Sequence, residues 1–210
     1  MEKSIKATLK ARQSEFAYYQ DFTVFVTTWN VANFNPSKTY DLTDLFNFEG
    51  NEAPDVIAIG LQEIVELNAS NIVVGADNTA ELIWKEVLIE NLKKFGNYIP
   101  AQKETLVGLL LLVFVKEDIK DRISNVEAEI VKTGLAGALG NKGAVIVRFN
   151  LDQTSMCFIN CHMEAGEGEK TNNVRLLNVT DFHQKAFQQG SVKRPVNKIC
   201  VLVSLIINIG

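Results

Sequence analysis

Apolar residues come in short runs separated by turn-forming stretches, and the runs predict strands and helices in mixed order. Residues 22–29 are β-branched and aromatic, which predicts a strand. Asn-Pro within residues 33–37 predicts a loop. Leu42, Leu45 and Phe46 recur at helical spacing and predict a short helix. Pro54-Asp55 opens a second strand over residues 56–61. The clearest helix is 79–95, where Leu82, Ile83, Val87, Leu92 and Phe95 mark an apolar face, Ile89 lies off it, and Gly96 is a natural stop. Residues 106–115 are unbroken apolar and read as one strand buried on both faces. Residues 116–125 are polar. Residues 127–132 predict a strand, 134–143 a glycine-rich loop, and 144–151 and 156–160 two strands joined at Asp152-Gln153-Thr154. Residues 174–187 read as a helix, residues 199–209 as a further strand or an unrelated tail, and residues 1–20 as a short helix or a mobile end.

Strand, helix, strand, helix and then several strands with short links is not a parallel, doubly wound order. Short links require antiparallel pairing, so the pattern predicts a mixed sheet in an α+β or layered α/β sandwich. The chain has 210 residues, 47% of them hydrophobic and 22% charged, which suits one globular domain and excludes a disordered, collagen-like or disulfide-scaffold chain. Its formal net charge of −4 speaks against a dedicated nucleic-acid binder. Cys157, Cys161 and Cys200 are few, odd in number and without CxxC spacing, so they read as buried thiols of a reducing compartment. The N-terminus has no apolar signal core. The longest apolar runs, 106–115 and 199–209, fall short of the roughly 20 residues that span a bilayer. The expectation is a cytoplasmic protein.

Four polar clusters close strands or fill the loops beside them. Thr28-Trp29-Asn30 ends a strand in an amide, which can serve a hard cation, a phosphate or simply a turn. Gly60-Leu61-Gln62-Glu63 ends another in a carboxylate that suits Mg²⁺ shared with water and substrate oxygens, or a solvated strand end. The stretch from Gly134 to Gly143 carries four glycines beside Asn141 and Lys142. It suits an anion cradle or a plain hairpin, and it is not a Walker loop, since no Ser or Thr follows the lysine. Asn160-Cys161-His162 ends a strand in a histidine able to donate to a phosphate oxygen, above all when protonated. His183 has no such context and reads as surface or packing.

Together, TTWNVANF at 27–34, GLQEIVEL at 60–67, VKTGLAGALGNKGAVIVRF at 131–149, TSMCFINCH at 154–162 and NVRLLNVTDFHQKAF at 173–187 resemble the catalytic domain of the inositol polyphosphate 5-phosphatases, synaptojanin-type enzymes above all. The resemblance implies a four-layer DNase I-like α/β sandwich of the endonuclease/exonuclease/phosphatase superfamily. It implies Mg²⁺-dependent hydrolysis of the 5-phosphate of phosphatidylinositol 4,5-bisphosphate or a related inositol polyphosphate, at a membrane surface to which the protein is peripheral. Glu63 would be the magnesium ligand, with Asn30 organising metal and phosphate. His162 would bind the scissile phosphate. Asn141 and Lys142 would meet the lipid 1-phosphate, Asn160 would line the substrate site, and Arg175 would be structural or supporting.

The resemblance covers about residues 20–190, the N-terminal portion of such a domain. It implies an extension over 1–20, a partial catalytic domain over 21–190 and an unmatched tail over 191–210. The Gly-Asp-Leu-Asn and Trp-Cys-Asp-Arg segments that carry the family's water-activating and phosphate-side aspartates are not among the 210 residues. The expectation is that the isolated chain is inactive and, with apolar faces uncovered, poorly soluble or partly folded. Glu164, where the family has a small residue, would repel substrate if it pointed inward. Two other functions compete with hydrolysis of inositol phosphates: a non-catalytic phosphoinositide-binding relic, and a related DNase I-like phosphodiesterase, against which the acidic charge and the Gly-Asn-Lys-Gly loop speak.

Overall fold

A computed structural model of the chain describes residues 2–46, 48, 52–66, 78–134, 139–186 and 198–206. The elements in order are α1 (Glu2–Ala11), β1 (Val24–Asn30), β2 (Val56–Gln62), α2 (Thr79–Leu92), β3 (Tyr98–Leu106), β4 (Leu109–Lys116), β5 (Ile123–Gly134), β6 (Leu139–Leu151), β7 (Thr154–His162), α3 (Glu169–Lys185) and β8 (Lys198–Ile206), with short 3₁₀ turns at Gln13–Glu15, Thr43–Phe46 and Glu117–Arg122.

Two four-stranded sheets form, in the orders β1-β2-β4-β3 and β5-β6-β7-β8. β1 and β2 run parallel, as do β7 and β8, and the remaining neighbours are antiparallel. Alternation along the strands builds the layers. On β2, Ile57, Ile59 and Leu61 pack beneath Trp84, Val87, Leu88 and Leu92 of α2. Val56 and Ala58 face the other way, into a core shared with Leu111 and Val113 of β4, Val145 and Val147 of β6, and Met156 and Phe158 of β7. On the far side of the second sheet, Cys157, Ile159 and Cys161 pack with Phe182 of α3. Helix, sheet, sheet, helix is the four-layer sandwich the resemblance implies. Burial on both faces explains why β2 is apolar up to its final Gln62 and β4 up to its final Lys116.

The strand expected over 106–115 is two strands. A two-residue turn, Val107-Gly108, separates the paired Leu106 and Leu109, and Val107 takes a left-handed φ of 47°. No polar residue marks this turn because it is flanked by core positions. The sequence pattern does not announce β3, a half-exposed edge strand of mixed polarity. Its Pro100 is tolerated at an edge, beside the register shift between Pro100 and Gln102. The glycine-rich stretch is mostly hairpin: β6 resumes at Leu139, and Gly143 pairs with Lys132 and His162. Residues 135–138 lie outside the described residues. Helix α2 ends at Leu92, a turn short of Gly96. Helix α3 begins at Glu169, five residues ahead of the apolar signal. The 198–206 segment pairs with β7 as a parallel strand.

Candidate active site at the joined strand ends

Parallel pairing brings the C-terminal ends of β1 and β2 side by side, with Asn30 opposite Gln62. Their following loops interlock: the Val31 amide donates to the Gln62 carbonyl at 2.9 Å, and the Asn33 amide to the Glu63 carbonyl at 2.7 Å. Ala32, Asn33 and Glu63 all sit at left-handed φ, 47°, 62° and 55°. Such conformations cost of order 1–3 kcal/mol each for non-glycine residues and persist where surroundings over-determine them. Here the loop-to-loop bonds and the packing of Trp29 against Trp84, ring centroids 5.7 Å apart, do so. The result aims the Glu63 side chain off the end of the first sheet.

Asn30 donates from Nδ2 to Glu63 Oε1 at 3.0 Å, and its Oδ1 accepts the Ala32 amide at 3.0 Å. The backbone donor dictates which way the amide lies. Asn30 therefore orients the carboxylate, and a cation would share its carbonyl oxygen with the Ala32 N–H.

The second sheet supplies the rest. His162 ends β7 opposite Gly143. Its Nε2 lies 3.4 Å from Glu63 Oε1 and 3.0 Å from Lys142 Nζ. An ammonium can only donate, so Nε2 accepts from Lys142. Burial first, and the Lys142 charge second, push His162 down to about 4 against the opposing pull of Glu63. The imidazole is neutral at physiological pH in this state, and Nε2 acts as an acceptor. Burial also lowers Lys142, while Glu164 and Glu63 pull it back up. The Glu164 side chain is exposed, and its carbonyl is held by Arg175.

Asn160, expected to line the substrate site, faces the interior between the sheets. It is fully buried, with Nδ2 donating to the carbonyls of Leu61 at 2.9 Å and Leu110 at 3.0 Å, and Oδ1 accepting from Gln62 Nε2 at 2.5 Å. Those polar atoms meet groups of the protein interior. Gln62 also donates to Thr28 Oγ1 at 3.0 Å. Neither Gln62 nor Thr28 was singled out from sequence; inward-facing polar residues one step before Glu63 and two before Asn30 were the available signal. Asn141 belongs to β6, and its side chain lies outside the described residues. Arg175 is a latch: Nη1 donates to the Glu164 and Gly166 carbonyls, and Nη2 to Asn172 Oδ1 at 2.6 Å, tying the loop after β7 to α3. Cys157 and Cys161 are buried, and burial pushes the Cys161 thiol up to about 12. The Cys200 side chain lies outside the described residues.

A carboxylate, an orienting amide, an imidazole and an ammonium thus converge from two sheets, at the positions that carry the sequence motifs. The model of the endonuclease/exonuclease/phosphatase family 2 matches residues 27–204. The chain belongs to that family. Within it, the chain is similar to the inositol polyphosphate 5-phosphatases. It is 30% identical to the type I inositol polyphosphate 5-phosphatase 8 of Arabidopsis thaliana, over 81% of this chain and 43% of that protein. It is 35% identical to human synaptojanin-2, over 79% of this chain and 12% of that protein. Among solved structures, the inositol polyphosphate 5-phosphatase domain of SPsynaptojanin, in complex with inositol (1,4)-bisphosphate and calcium ion, superposes with a TM-score of 0.73 at 28% identity, covering 85% of this chain and 51% of that one. The chain thus spans about half the length of that domain structure and less than half of these curated relatives. Cimex nitrophorin shares the fold alone, with a TM-score of 0.53 at 17% identity.

Proposed function

We propose that this site hydrolyses the 5-phosphate of phosphatidylinositol 4,5-bisphosphate or a related inositol polyphosphate, on a cytoplasmic membrane surface. The observation that carries the reading is that Glu63 from one sheet and Lys142 from the other each lie within 3.4 Å of His162 Nε2. Among the described residues, no helix is long and apolar enough to cross a membrane.

The residues fit Mg²⁺. Among the described residues no three His, Cys, Asp or Glu side chains gather into a cage. Magnesium needs none, because it binds through one or two carboxylates and keeps water and phosphate oxygens for the rest. Glu63 would hold it, with Asn30 keeping the carboxylate aimed. When bound, it supplies Lewis acidity toward the phosphate oxygens and helps orient the attacking water. The chain's own residues bind and neutralise. Lys142 places an ammonium beside the phosphate. His162, freed from accepting its proton, turns Nε2 toward a phosphate oxygen, and the anion favours the protonated imidazole. Asn141 would meet a more distant phosphate of the headgroup.

A phosphoinositide-binding module without turnover is the alternative outcome of the test. The deciding measurement is Mg²⁺-dependent phosphate release from short-chain phosphatidylinositol 4,5-bisphosphate. Release lost by about 10²-fold or more in Glu63→Gln supports hydrolysis. Binding without release supports the module. Neither binding nor release removes the inositol phosphate reading.

A further inference from the structure

The two halves of the site stand on different sheets. Glu63 follows β2 directly, and His162 ends β7. Their 3.4 Å separation is therefore a distance between sheets, and no strand ladder sets it. The core between the sheets is apolar: Val56, Ala58, Leu111 and Val113 meet Val145, Val147 and Phe158. Apolar contact is non-directional. It holds the sheets together without fixing how one lies over the other to a fraction of an ångström.

Among the described residues, Asn160 makes directional side-chain bonds across that gap. Asn160 continues the inward row of Met156 and Phe158. Its two donors reach the carbonyls of Leu61 and Leu110, which are paired positions of β2 and β4. Its acceptor takes the Gln62 amide, itself held to Thr28 on β1. One amide thus ties three strands of the first sheet to β7. The tie lies two residues before His162 on one side and at the two residues before Glu63 on the other.

We infer that Asn160 is a positioning residue: with Gln62 as its partner, it sets His162 against Glu63 across the sheet-to-sheet gap and so registers the phosphate end of the site. The inference rests on the reading of Glu63 and His162 as the metal and phosphate residues. Losing the tie lets the end of β7 drift, and the contacts of His162 Nε2 with Lys142 and Glu63 change although none of those three residues is altered.

The test uses side-chain ¹⁵N–¹H NMR on the full chain. It holds two histidines, so exposed His183 serves as an internal reference for His162. Asn160→Ala is compared with Phe158→Leu, a core change one inward position earlier that removes no directional bond. Expected in Asn160→Ala, and not in Phe158→Leu, is a loss of the acceptor-type His162 Nε2 shift, while His183 stays put. Expected too is weakening of inorganic phosphate binding in Mg²⁺ by about tenfold, the scale of one charge-assisted hydrogen bond. Should Asn160→Ala fail to fold, Gln62→Met, which removes only the acceptor side of the tie, gives the same comparison. A folded Asn160→Ala, or failing that a folded Gln62→Met, with unchanged His162 shift and phosphate affinity overturns the inference. So do equal changes in Phe158→Leu. If the parent chain binds no phosphate, the proposed function fails, while the His162 shift still decides whether Asn160 positions it.

Discussion

At the scale of single residues, the site is a contest over one proton. His162 Nε2 faces a carboxylate oxygen and an ammonium within 3.4 Å. Burial decides the contest by disfavouring charge on the ring, and the neighbouring ammonium reinforces it. The folded pKa of about 4 lies below the ordinary 6.5, so between these values the unfolded chain binds more protons than the folded one. The stability tied to the neutral ring is complete above pH 6.5 and is lost as pH falls through about 4. Urea midpoints measured at pH 7 and pH 5 should therefore fall more in the parent than in His162→Gln. An equal fall in both would mean that the ring is not held neutral. Asp55 adds the ordinary carboxylate pattern at lower pH: held low by Thr23 and Lys116 against its own burial, it favours the fold until it is protonated.

At the scale of elements, hairpins carry the site, and glycine decides one of them. At Gly143 a Cβ would stand 2.3 Å from the Val131 carbonyl oxygen and 2.9 Å from Leu106 Cδ2. Backbone cannot yield as a flexible side chain does. Gly143→Ala should cost about 2–4 kcal/mol in denaturant unfolding. It should also move Lys142 and the facing His162, read as altered His162 NMR shifts. A variant as stable as the parent would show that β5 and β6 do not pack this closely. Gly143 was legible from sequence as part of a glycine-rich segment. Its reason was not: the segment reads equally as an anion cradle, whereas here the missing side chain lets two strands and a leucine pass. The split at Val107-Gly108 was hidden for a related reason. Turn chemistry is usually announced by polar residues, but this turn lies between core leucines.

At the scale of the whole molecule, two sheets share one apolar core and each carries a helix on its outer face. Phe149 and Phe158 fill the inter-sheet layer, with ring centroids 5.8 Å apart. Phe149→Ala should destabilise by about 3–5 kcal/mol through lost transfer energy and the cavity left behind, as measured by urea unfolding. A cost under about 1 kcal/mol would mean that the layer collapses freely around the gap. Coverage is uneven at the periphery: β1 is a partly exposed edge, and α3 leaves Leu176 and Leu177 mostly exposed.

What sequence alone determined is whatever depends on local composition and order: the apolar strands over 56–61 and most of 106–115, helices α2 and α3 in outline, the mixed-sheet architecture, the family through its motifs, and Glu63, Asn30, His162 and Lys142 as residues of interest. Periodicity and strand-end chemistry are local properties, so they can be read along a line. Tertiary structure alone decided what depends on distance between residues far apart in the chain. Residues 63 and 162 meet because two sheets stack. His162 is neutral because of what surrounds it. Asn160 turns inward to tie strands together because the alternation of β7 puts it between the sheets, where a buried amide must find partners or cost free energy. A strand-ending Asn-Cys-His reads the same whether its asparagine meets substrate or holds the scaffold, and only the face it occupies tells them apart.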